Sequence, residues 1–146
     1  MRLTLINASE LRKEIKDQCR FIATLIDEDI GQLPGTVNLI CCDDERIQEL
    51  NRMYRGKDQV TDVLSFTWYE GFTKPQDLVG EVYINLAQTR RQAKERRRSF
   101  EIELYTLCIH GLAHLRGYDH EEDDEFRVMK LIEDRIMKRL LDTKKT

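Results

Sequence analysis

The hydrophobic patterning of this chain predicts an α+β fold, with about five helices packed on a small mixed sheet of about four strands. Three observations carry that reading. Strand-like runs all lie before residue 86, and everything after it reads as helix. The elements follow in the order β-α-β-α-β-β-α-α-α, which suits helices laid on a sheet. The chain has 146 residues, 40% of them hydrophobic, enough to build one core without disulfides or oligomerisation. We therefore expect residues 1–146 to form a single domain.

Residues 2–6 alternate polar and apolar side chains as a first strand would. Ser9 is expected to open a helix whose apolar positions, Leu11, Ile15, Cys19, Ile22, Ile26 and Ile30, recur at helical spacing until Gly31. The G-Q-L-P-G stretch breaks it, and residues 36–42 read as the next strand. Asp43 and Asp44 are placed to cap a short helix through Asn51 and Tyr54, with Gly56 where a C-terminal glycine belongs. Residues 61–66 and 79–84 read as two strands of one sheet, joined by a loop holding Gly71 and Pro75. Helices are then expected over 86–98, 100–116 and 121–141.

The balance of 24 basic against 27 acidic residues leaves a formal charge of −3, which excludes a polyanion binder with a uniformly basic surface. Any nucleic-acid contact must come from a local patch. No apolar run reaches the roughly 20 residues of a membrane span, and the start shows no signal-peptide pattern, so a cytoplasmic protein with no membrane partner is expected. Cys19, Cys41, Cys42 and Cys108 have no metal-binding spacing and read as buried thiols.

All three histidines fall within H-G-L-A-H-L-R-G-Y-D-H, at His110, His114 and His120. On a helix, His110 and His114 lie one turn apart on one face. Gly117 can then turn the chain so that His120 supplies a third nitrogen. Three neutral imidazoles and an open coordination position describe a catalytic zinc site, as in a zincin-like metal helix, with nickel or cobalt as substitutes. The spacing matches that of metzincin peptidases, but Gly111 stands where their glutamate base belongs. A structural zinc usually uses cysteines, and none is suitably spaced here. Asp119 has two readings: an acceptor beside a ligand imidazole, or, with Glu122, the cap of the last helix.

This histidine segment closely resembles the signature of the YbeY family of bacterial endoribonucleases. N-R-M-Y-R-G-K-D-Q-V-T-D-V-L-S-F resembles that family's second block, and G-E-V-Y-I at 80–84 its third, with Glu81 where aspartate is common and Ala113 where leucine is common. The resemblance implies a single-strand-specific, zinc-dependent endoribonuclease acting in 16S rRNA 3′-end maturation and ribosome quality control. Its zinc ligands would be His110, His114 and His120, its functional arginine Arg55. The implied partners are rRNA and the small ribosomal subunit, with ribosomal proteins or an assembly GTPase as further candidates.

Arg55 also has its own chemistry, since a guanidinium beside Gly56 and Lys57 is a fork suited to phosphate oxygens; a surface salt bridge is the plainer alternative. Asn51, Tyr54 and Asp62 could support the same cleft or serve as cap, packed ring and turn residue. The run R-R-Q-A-K-E-R-R-R would cluster Arg90, Lys94, Arg97 and Arg98 on one side of a helix, as a phosphate track or as a solvated face. Two other functions stay open: a metallopeptidase or other small-substrate zinc hydrolase, and a non-catalytic ribosome-assembly factor with a structural zinc.

The histidine pattern predicts one zinc per chain. Elemental analysis of the purified protein should show it, and His114→Ala should abolish stoichiometric binding.

Overall fold

A computed structural model describes residues 1–68, 77–117 and 123–144, the side chains of Asp123 and Lys144 aside. Its elements are β1 (Arg2–Ile6), α1 (Lys13–Ile30), β2 (Thr36–Cys42), α2 (Asp44–Arg55), β3 (Val63–Thr67), β4 (Leu78–Asn85), α3 (Leu86–Glu95), α4 (Phe100–Leu115) and α5 (Asp123–Lys144). The four strands form one mixed sheet in the order β1-β2-β4-β3. β1, β2 and β4 run parallel, and β3 pairs antiparallel with β4 along Val63↔Ile84 to Thr67↔Gly80. The fold is the expected α+β one.

Among the described residues β3 therefore ends the sheet, with no strand beside one of its backbone edges. Side chains alternate across β3 and β4. Val63, Ser65, Gly80 and Val82 turn toward α4, as their near contacts with that helix show. Leu64, Phe66, Glu81 and Tyr83 take the other side.

Besides α5, which runs on to Lys144 rather than ending at 141, two helix boundaries differ from expectation. Ser9 does not open α1; the chain makes a turn closed by Leu11 N–H donating to the Ala8 carbonyl, and Arg12 is the N-cap without side-chain help. α3 stops at Glu95 rather than running to residue 98, and Arg97 takes a left-handed backbone conformation with φ of 54°. The reason is a buried acid. Glu103, in the first turn of α4, has no exposed surface, and its carboxylate accepts from Arg96 Nη1 at 2.6 Å and Arg98 Nη2 at 3.1 Å. A buried carboxylate needs such partners, so the chain turns sharply to bring both arginines back onto α4.

The caps at α2 are as expected. Asp43 accepts from the Arg46 N–H at 2.9 Å, and Gly56 closes the helix with φ of 69°. Fully buried Asn85 caps α3 with its side-chain oxygen, accepting from the N–H groups of Ala87 and Gln88. Its amide nitrogen donates to Asp44 at 2.7 Å and to the Thr61 carbonyl at 3.2 Å. One side chain thus ties the starts of α2 and α3 to the segment entering β3.

α4 is the centre of the molecule, packed against α1, α3, α5, β3 and β4. Its mostly apolar sequence lacks a wet face because neighbours surround it. Close approach to the sheet depends on Gly111: a Cβ there would lie 2.6 Å from Val82 Cγ1 and 3.2 Å from Val63 Cγ2. Gly111→Ala should therefore destabilise the fold by about 1–3 kcal/mol despite alanine's better helix propensity. Urea unfolding of the variant against the parent protein measures it.

Candidate active site

The sequence of α4 places two of the three predicted ligands together. Ser99 caps the helix by accepting from the Ile102 N–H at 3.1 Å, and helical spacing then carries His110 and His114 onto one face with ring centroids 5.3 Å apart. Both line a cavity of about 740 Å³ beside the open edge of β3, together with Asn51, Arg55, Lys57 and Ser65. The third predicted ligand, His120, lies outside the described residues, as do Asp119 and Glu122. Gly117, with φ of 90°, ends the helix region as expected.

Glu133 of α5 supplies what the sequence reading missed. Its Oε1 lies 2.8 Å from His110 Nδ1. A carboxylate only accepts, so Nδ1 carries the hydrogen, and a neutral ring then presents its lone pair at Nε2. A carboxylate in this position fixes ring and tautomer in the way that metal-binding histidines require. The signal in the sequence is faint: Glu133 borders the buried stripe of Met129, Ile132, Ile136 and Leu140, an uncommon place for an acid.

The donor chemistry fits zinc at His110 and His114, with Glu133 behind the first. Among the described residues no group of three ligand-type side chains comes together.

Gly111 explains the missing peptidase base. Its position faces β3 and β4, where even a Cβ is excluded, and the Ser65 hydroxyl donates to its carbonyl at 2.9 Å. No glutamate fits there without moving the helix off the sheet.

Arg55, the last residue of α2, is exposed and lines the same cavity as the histidines. Its Nη2 donates to the Ser65 carbonyl at 2.7 Å, filling one acceptor on the edge of β3. Its Cζ lies 5.2 Å from the Phe66 ring centroid. Among the described residues it has no salt bridge, so its charge is not neutralised by a carboxylate there. Buried Asn51 donates to the Gln59 carbonyl at 2.9 Å and so steadies the segment after α2 that forms one cavity wall. Asp62 accepts from the Val63 N–H and from Gln92, a turn role, and Tyr54 packs edge-on against Phe66.

The basic run does not cluster on one side of a helix as its spacing predicts. Arg90 pairs with Glu10 at 2.8 Å and Arg98 with Glu103, while Lys94 is near the end of α3 and Arg97 lies beyond it in the turn. Because the helix ends at Glu95, the four residues share no helix face. The cysteines are free, three buried and Cys42 partly so, and burial pushes the Cys41 and Cys42 thiols up to about 12. Thiols of that kind stay protonated at neutral pH and are poor nucleophiles.

This is an α+β protein of the kind that sets a histidine-bearing helix beneath an edge strand and faces it with an arginine. The sequence profile of the family described as endoribonuclease YbeY matches residues 3–141. An endoribonuclease YbeY of Petrotoga mobilis is 40% identical over 129 residues, 86% of this chain and 85% of that protein. One of Desulforamulus reducens is 44% identical over 109 residues, covering 71% of each. The solution structure of a Thermotoga maritima protein superposes with a TM-score of 0.59 at 30% identity, covering 97% of this chain and 93% of that one. The chain belongs to the YbeY family.

If Glu133 orients His110 for a metal, Glu133→Gln should weaken zinc binding about tenfold while leaving helix content unchanged. Titration against a chromophoric chelator, with circular dichroism alongside, measures both.

Proposed function

We infer that this protein is a single-strand-specific, zinc-dependent endoribonuclease acting in 16S rRNA 3′-end maturation and ribosome quality control, in the cytoplasm. The observation that carries the reading is Arg55 sharing one cavity with His110 and His114. Its family membership supports the same activity, since its relatives carry the name endoribonuclease.

His110, His114 and His120 would hold the zinc, which when bound supplies a Lewis acid able to polarise a phosphoryl oxygen or a water. The rest falls to the chain's own groups. Glu133 holds the Nδ1 hydrogen of His110 and so keeps the ring from turning. Arg55 aims a planar fork at a phosphate, its orientation held by Ser65 and the Phe66 ring. Extra negative charge develops on the phosphoryl oxygens during cleavage, so this guanidinium binds the transition state more tightly than the ground state. Gly111 leaves no carboxylate on that helical position to take a proton. A cavity of about 740 Å³ suits a short splayed segment of one strand, whose bases and sugar are exposed for recognition.

A metallopeptidase is the second reading, favoured by the open β3 edge along the cavity, on which an extended peptide could pair. Gly111 weighs against it.

Arg55→Ala should lower cleavage of a single-stranded rRNA fragment by roughly a hundredfold, equal to about 3 kcal/mol of transition-state stabilisation. Zinc content and melting temperature should stay close to those of the parent protein, and Arg55→Lys should recover activity only in part. Loss of zinc or of folding in the alanine variant would make Arg55 structural. Casein cleavage by the zinc-loaded protein, with RNA left intact, would establish the second reading.

A further inference from the structure

The face of the sheet turned away from α4 carries a group of rings that touches the site only where Phe66 meets Arg55. Phe66 is met edge-on by Tyr54, at 5.3 Å between centroids, and by Tyr83, at 5.9 Å. Trp68, two residues along, lies nearly parallel to Phe66, at 16° and 6.4 Å. Tyr54 is 58% exposed and Trp68 52%, which is a large apolar area to leave in water. Trp68 is also held in place: its indole N–H donates to Glu81 Oε1 at 3.0 Å, which satisfies the polar edge and leaves the ring face as the contact surface. Arg55 joins this group to the cavity, since its guanidinium lies over Phe66 and lines the cavity as well. Arg52 and Lys57, both exposed, lie at the same end of α2.

We propose that Tyr54 and Trp68, backed by Phe66, form a stacking shelf for the bases of a single-stranded RNA whose backbone passes Arg55 into the cavity. This rests on the ribonuclease reading above. Aromatic faces beside cations are the arrangement by which proteins hold single strands, because every base has a π-face while phosphates seek the charges. A protein partner would need no cation at the junction between rings and cavity, and that junction is where Arg55 stands.

Trp68 is the chain's one tryptophan, so its emission reports on the shelf directly. The zinc-loaded protein is titrated with an end-labelled 2′-O-methyl hexanucleotide and with an abasic strand of equal length, reading tryptophan emission and label anisotropy together. The base-bearing strand should quench Trp68 saturably and the abasic strand should not. Trp68→Ala should weaken binding of the base-bearing strand roughly tenfold, and Trp68→Phe should retain most of the affinity. Binding seen by anisotropy with unchanged Trp68 emission, and equal affinity in Trp68→Ala, would overturn the shelf and leave the ribonuclease reading standing. Equal quenching by the abasic strand would also overturn it. No binding of either strand would remove the ribonuclease reading and the shelf together.

Discussion

The close packing of α4 against β3 and β4 at Gly111 is the constraint on which the rest of the site depends. Only the absence of a Cβ lets the helix settle onto Val82 and Val63, and the Ser65 hydroxyl locks the contact by donating to the Gly111 carbonyl. That depth sets His110 and His114 beside the strand edge, within reach of a cavity whose opposite side is built by α2 and the segment after it. The same glycine that makes the geometry possible also removes the carboxylate that a peptidase would carry there.

Around this contact the polar groups divide into those that build the frame and those that face the cavity. Asn85 joins three segments with one side chain. Glu103 draws Arg96 and Arg98 inward and so ends α3 early. What looked like a reservoir of positive charge for RNA is in part a set of structural pairs: Arg90 with Glu10, Arg91 with Asp44, and Arg96 and Arg98 with Glu103. The exposed pairs of Arg90 and Arg91 add little stability one by one, whereas buried Glu103 needs its two arginines, and every pair lowers the charge available to a phosphate. Arg55 differs in kind, because it leans on a carbonyl and an aromatic ring and meets no carboxylate among the described residues.

The rings behind Arg55 extend the same logic. An edge strand with alternating side chains offers different chemistry on its two sides. On β3, Ser65 serves the helix contact, while Phe66, held among Tyr54 and Tyr83, supports the arginine. The strand is therefore both a wall of the cavity and the base of the aromatic group.

The sequence by itself determined the α+β class, the element order, the strand at 36–42, the caps at Asp43 and Gly56, and the pairing of His110 with His114. These follow from local rules, since side-chain period, capping chemistry and helical rise act over a few residues. Tertiary structure alone decided that Glu133 stands behind His110, that Gly111 is a packing necessity, and that Arg55 meets the histidines across one cavity. It also decided that the basic run turns inward at Glu103. Each of these joins residues from separate elements, and no local period records which acid will lie against which ring. That depends on how tightly two surfaces pack, which here is set by a missing Cβ.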